Sequence, residues 1–304
     1  MGLTKRRHRS GQKRAMYVRV ERIETTEELP AVLMRAATPL DQPRAIGKAI
    51  VSSKAGPFGS TLDRLRQSGA LKLLFPKTAD SFQAIVVNTA GGITGGDDFH
   101  LHATAGAGAH LTLTSQAAER AYRAQAGQIG HVENRLHVED GGSLFWLPQE
   151  TILYNEAALH RRLIVDLAGN ARFLMVEPVL FGRRAMGEDV STLQFRDRVE
   201  IRREGMPLYH DGVTLEGSVG QVLDRPATGN GARAMASLVY VDPSADGRLD
   251  TVRAHLGAVG GASLLQTDVL VARILAEDGF ALRRALLPVL DLLTDNTLPQ
   301  SWRL

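Results

Sequence analysis

Three groups of residues in this sequence are of types and spacings that could do chemistry. The stretch Val86 to Leu101, VVNTAGGITGGDDFHL, sets Gly91, Gly92, Gly95 and Gly96 just before Asp97 and Asp98. His100, His102 and His110 follow closely. Later, GRRAMGEDV places Gly182 and Gly187 around Arg183 and Arg184, ahead of Glu188 and Asp189. A phosphate-cradling loop needs Lys-Ser or Lys-Thr after its last glycine, whereas here two carboxylates would repel the phosphate. A dinucleotide fingerprint needs a helix after the loop, and the residues that follow read as a strand. Two readings of the glycine-rich stretch remain. Either it is a wide backbone turn capped by its aspartates, or its carboxylates contact a hard or borderline metal ion.

The histidines also leave alternatives. Setting Leu101 against Leu113 and Ala103 against Leu111 gives a hairpin with Gly106-Ala107-Gly108 as its loop and Gly108 at the left-handed position. That register puts His100, His102, Thr104, His110, Thr112 and Thr114 on the opposite face. Three imidazoles there could hold zinc or nickel, or the face is merely solvated. The Arg183 to Asp189 segment reads as a salt-bridged turn or an interface patch, and Tyr122-Arg123 as an interface pair or the packing of an element's end. Catalytic motifs are missing. There is no G-x-S-x-G elbow, no H-E-x-x-H and no EF-hand pattern.

Composition narrows the field further. The 304 residues include no cysteine, which removes disulfides, thiolate ligands and cysteine nucleophiles together. That fits a reducing compartment, and a cytoplasmic protein is expected. Aromatics at 5% weigh against a stacking platform for nucleic acid, and no run suits a membrane. Lys5, Arg6, Arg7, Arg9, Lys13 and Arg14 crowd the start, so residues 1–25 read as a basic, disordered extension. Residues 26–304 read as a single β-rich domain.

The elements that must position these residues are mostly strands. Alternation on both sides of a Gly-rich turn occurs in HLHATAGAGAHLTLTSQ, ENRLHVEDGGSLFWLP, RLIVDLAGNARFLMVE and DRVEIRREGMPLYHDGVTL. Each is a hairpin signal. Together they predict a mainly-β fold, a stacked or coiled body of antiparallel hairpins. Leu249 to Val259 and Ala281 to Asp295 have helical apolar spacing, and Pro288 is expected to kink or split the second helix. The residues between them read as two short strands. Taken alone, the residues point to a β protein with no visible catalytic centre and a binding or scaffold role.

Six segments, in order, resemble the urease accessory protein UreD family, called UreH in some species. They are NTAGGITGGDDFHL, GAGAHLTLTSQAAERAYRA, GGSLFWLPQETILYNEA, VEPVLFGRRAMGE, RVEIRREGMPLYHDGVTL and LPQSWRL. WLPQE is the most specific of them. The resemblance implies a β-rich, non-catalytic maturation factor. It would bind apo-urease, recruit UreF and through it the UreG GTPase, and help to build the dinickel centre. A dimer within the accessory complex is compatible with it. Nickel would pass transiently, without a tightly bound cofactor, through an internal water-filled passage. Loosely held oxygen ligands suit such a passage. The resemblance makes Asp97, Asp98, Glu177, Glu188 and Asp211 its candidate residues. Arg123, Arg183 and Arg198 are alternative structural counter-charges. Gly91, Gly92, Gly95, Gly96, Gln116, Tyr122, Arg123, Trp146, Gly182 and Arg183 fall on motif positions for partner binding or structure. Arg120 keeps the charge where the family commonly has lysine, and Glu119 stands where it has a small residue. Two other readings stay open: a metal-dependent enzyme using Asp97, Asp98 and the histidine face, and a pure protein-interaction module.

Overall fold

A computed structural model describes residues 42–78, 81–183 and 186–303. The extension read over residues 1–25 lies outside them, as do Arg184 and Ala185. The described chain forms two facing sheets. The first is ordered β14 (Met206–Gly217), β13 (Leu193–Arg203), β11 (Ala158–Leu167), β8 (Gly130–Val138), β5 (Asp98–Ala105), β1 (Ile46–Gly56) and β2 (Gly59–Gly69). The second is ordered β16 (Gly260–Gln266), β17 (Val269–Ala276), β15 (Ala234–Val241), β12 (Arg172–Phe181), β9 (Ser143–Leu147), β6 (His110–Ser115), β4 (Gln83–Asn88) and β3 (Leu71–Leu74). Two short strands, β7 (Glu119–Ala121) and β10 (Thr151–Leu153), pair beside β12. The fold is mainly β and built from stacked coils, as the alternation predicts.

The connection between neighbouring strands differs from the expected one. β5 and β6 do not pair with each other. β5 lies parallel to β1 and β8 in the first sheet, and β6 lies parallel to β4 and β9 in the second. Leu101 pairs with Ala49 and Asn134, while Leu113 pairs with Ala84 and Trp146. The expected register of Leu101 against Leu113 is therefore wrong. β8–β9 and β11–β12 are arches of the same kind. The physical reason is that an arch and a hairpin share the same period-two pattern. In both, Leu101, Ala103, Leu111 and Leu113 face inward, and all four are buried in the core between the sheets. Only the fourth segment, β13–β14, is a true antiparallel hairpin.

The arches stack because each turn bonds to the coil before it. Gly106 N donates to Ser53 O at 3.0 Å, Glu139 N to Ala105 O at 2.9 Å, and Ala168 N to Val138 O at 2.9 Å. A Cβ at Gly142 would lie 2.9 Å from Glu139 O and 3.0 Å from Gly106 O. Only glycine allows the two coils to come that close.

The outer side of the second sheet is covered by α2 (Ala245–Leu256) and α3 (Gly279–Leu293). Their apolar faces close a second core around Leu174, Leu238, Leu286 and Leu290. α3 runs through Pro288 as one helix rather than splitting. Its N-terminus is capped by the Asp278 carboxylate, which accepts from Ala281 N at 2.8 Å. β16 and β17 pair as the expected two strands. A short helix, α1 (Val219–Asp224), has no counterpart in the sequence reading. No helix among the described residues is long and apolar enough to cross a membrane.

This topology separates the histidines. His100 and His102 point out from the first sheet. His110 lies on the outer side of the second, edge-on to Phe145 at 4.8 Å between ring centroids. Its Nε2 is 2.7 Å from Thr112 Oγ1 and its Nδ1 is 3.2 Å from Ser143 Oγ. The expected three-imidazole face does not exist. Burial brings the His110 pKa down to about 4.

Two predictions follow from these contacts. Gly142→Ala lowers stability by about 2 kcal/mol through overpacking, measured by urea unfolding. The second concerns pH. His110 is neutral when folded, so between its folded pKa and the ordinary value near 6.5 the unfolded chain binds more protons. Stability should therefore fall as pH drops through that window, by up to about 3 kcal/mol. His110→Asn should flatten this fall in urea melts taken across the window.

Candidate functional site

The glycine-rich loop is held by the first of its two aspartates. Asp97 is 4% exposed. Its Oδ1 accepts from Ala45 N and its Oδ2 from Thr94 N, each at 2.8 Å. The carboxylate thus clasps the loop to the segment that enters β1. Asp98 begins β5 and points the other way, onto the outer face of the first sheet, where it lies 3.0 Å from His100 Nε2. The glycines serve close approach. A Cβ at Gly92 would lie 2.3 Å from the Tyr122 ring and 2.8 Å from Arg120 O. One at Gly95 would lie 2.7 Å from Gln128 Cβ. Gly91 and Gly96 adopt positive φ.

That loop docks on a cluster drawn from distant parts of the chain. Ile93 N donates to Arg120 O, and Tyr122 N to Ile93 O, both at 2.7 Å. The Tyr122 ring meets the Tyr154 ring edge-on at 4.9 Å. Arg183 stacks over Tyr154 at 4.3 Å and pairs with Glu188 at 2.7 Å. Arg123 pairs with Glu156 at 2.5 Å. Gly182, at φ 80°, donates to Leu153 O at 2.8 Å. The exposed Gln116 ties β6 to β4 through its backbone N–H, which donates to Val86 O at 3.1 Å. Asp211 lies elsewhere, on β14, and pairs with Arg273.

A cavity of about 90 Å³ lies between the two sheets. Its polar lining includes Glu119, Glu177, Arg161, Asn134, Gln149 and Thr151. Trp146 forms part of its wall and donates from Nε1 to Glu177 Oε1 at 2.5 Å. Arg161 projects inward from β11 to Glu177 at 2.5 Å and to Asp197 at 2.6 Å, and donates to Thr151 Oγ1 at 3.0 Å. Burial pushes the Glu177 pKa up, against the pull of Arg161. Burial works against the Arg161 charge, yet Asp197 and Glu177 hold its pKa above the ordinary value. Glu119 has no such partner. Burial pushes its pKa up, against hydrogen bonds from Asn88 and the Arg120 amide.

The WLPQE stretch joins this cavity to the C-terminal residues. Leu147 O accepts from Trp302 Nε1 at 2.9 Å and from Thr114 Oγ1 at 2.7 Å. Arg283 donates to Glu150, Gln149 Oε1 and Ser301 O at 2.9, 2.9 and 3.1 Å, and lies over the Trp302 ring.

Five acids were candidates for the passage, and only Glu177 lines the cavity. Asp97 clasps a turn, Asp98 is on an outer face, and Glu188 and Asp211 are paired with arginines near the surface. Arg161, Asp197 and Thr151 were missed. One signal was available for Arg161, since it shares inward parity with Leu159, Leu163 and Val165 on β11. Among the described residues, no group of three or more His, Asp or Glu side chains is arranged to hold a metal ion.

The sequence profile described as UreD urease accessory protein matches residues 46–303. The chain belongs to the UreD family. Its relatives include the urease accessory protein UreD of Roseobacter denitrificans, 64% identical over 90% of this chain and 100% of that one. The UreD of Ruegeria sp. (strain TM1040) is 51% identical over 86% of this chain and 91% of its own. That of Agrobacterium fabrum is 42% identical over 88% and 95%. The family assignment agrees with the resemblance carried by the six segments.

The contacts of the two aspartates set a prediction. Asp97→Ala strands two backbone amides and should lower stability by about 2 to 4 kcal/mol. Asp98→Ala, at a partly exposed position, should stay within about 0.5 kcal/mol. Urea unfolding of the purified variants measures both.

Proposed function

We propose that this UreD-family chain is a non-catalytic scaffold for urease maturation in the cytoplasm. It binds apo-urease and, with UreF and through UreF the UreG GTPase, assists nickel delivery. Nickel is cargo here and passes transiently through the interior cavity. The observation that supports this best is the chemistry of that cavity. It sets two carboxylates, Glu119 and Glu177, against one guanidinium, Arg161, which is itself shared with a third carboxylate, Asp197. Buried negative charge left over in this way is costly, and a divalent cation relieves it. Its donors are oxygens, which hold Ni²⁺ loosely enough to release it, whereas thiolates would not. Glu119 is the freer of the two acids, because only neutral donors hold it.

The test is urease maturation in cells carrying the urease operon. Glu119→Gln and Glu177→Gln are compared with wild type for urease nickel content, with pull-down of urease and the accessory proteins in parallel. The expected result is nickel content reduced several-fold with the complex intact. Full nickel content in both variants would remove the cavity from the route. Loss of the complex would mean that these acids are structural.

A further inference from the structure

The proposed nickel route leaves one large surface unused, the outer face of the seven-stranded sheet. Its strands β1, β5, β8, β11 and β13 run parallel. Parallel sheets are ordinarily covered on both faces. The second sheet covers the inner face of this one, and α2 and α3 lie on the far side of the second sheet. Among the described residues, no helix or strand packs on the outer face. Six of the nine histidines stand on this face, His100, His102, His131, His137, His160 and His210.

The register builds a groove into it. His131 pairs beside His160, and His160 beside Arg196. Two residues further, Glu133, Arg162 and Arg198 stand in line. Together they line a concavity of about 450 Å³. Its acids already have partners within the face. Glu133 accepts from Arg135 at 2.8 Å, Glu200 accepts from Arg162 at 2.9 Å, and Asp98 lies 3.0 Å from His100. Arg196 and Arg198 are exposed and make no ion pair among the described residues. His160 Nε2 is buried at the groove and has no hydrogen-bond partner among the described residues. Two exposed guanidiniums without an ion pair offer donors to an acceptor with negative charge.

We propose that this face docks an acidic protein surface, whose carboxylate side chains enter the groove between Arg196, Arg198, His131 and His160. Charge complementarity selects the occupant. The groove offers guanidinium forks that match carboxylates in pairs. Glu133 and Glu200 on its floor interrupt the positive charge, which suits spaced carboxylates better than a continuous phosphate chain. The docking is independent of the nickel route, and its test reads no nickel.

The test titrates fluorescent poly-L-glutamate with the purified full-length chain and follows anisotropy at low ionic strength. Arg196→Ala/Arg198→Ala is compared with Lys13→Ala/Arg14→Ala, which removes the same charge from the N-terminal segment. Both pairs are checked for native circular dichroism. The expected result is about tenfold weaker binding for the groove pair, with a shallower salt dependence, and little change for the control pair. Equal weakening in both pairs, or no binding by wild type, would overturn the proposal. So would tighter binding of oligo-U RNA that is lost in the groove variant, since the face would then serve nucleic acid.

Discussion

Everything in this fold depends on the backbone ladder that ties each coil to the next. Strands joined by an arch, such as β5 and β6 or β8 and β9, lie in opposite sheets and cannot pair with each other. Each finds its hydrogen bonds one coil away. A buried backbone group must be paired, and the turns satisfy this by bonding to the preceding turn. That requirement fixes the spacing of the coils and explains why glycine stands where two turns touch. It also fixes direction. With the strands parallel and in register, residues of one parity fill the core and those of the other form continuous rows on the outside.

Against that ladder, the polar interior is an exception. A core of leucine, valine and phenylalanine would be more stable than one holding Arg161, Glu177 and Asp197, because ion pairs recover their desolvation cost poorly. Trp146 and Thr151 take up further bonding positions, while Glu177 Oε2 is left with its ion pair to Arg161. A cavity of about 90 Å³ lies beside this network, between the sheets. Glu119, on a strand of only three residues, completes the lining from the loop side. The arrangement gives up packing for a polar interior.

Much of this was legible in the sequence, though unevenly. Period two is strong, so the inward set Leu101, Ala103, Leu111 and Leu113 could be read at once. What joins two alternating runs is not encoded in alternation, and three of the four expected hairpins are arches. The fourth, with Glu204 and Gly205 at its turn, is a hairpin. The histidine face failed for the same reason, because moving β6 into the other sheet carried His110 to the far side of the molecule. The site was less legible than the fold. Arg161 sits in RRLIV, where a charged residue reads as outward-facing, and only its parity argued otherwise. Glu119 could be seen only as a departure from a small residue.

Asp97 and Asp98 put the rule in its smallest form. They are adjacent and chemically identical, and the glycines before them suggest a common task. Yet β5 begins between their roles. Asp97 turns inward, and two backbone amides occupy its oxygens. Asp98 turns outward to His100, at the margin of the basic groove. A pair of acids in sequence is therefore not a pair in space once a strand runs through it. The carboxylates that do share a space, Glu119 and Glu177, lie far apart in the chain and are brought together because β7 and β12 both flank β10. In a stacked-coil fold, chemistry gathers across coils rather than along the chain.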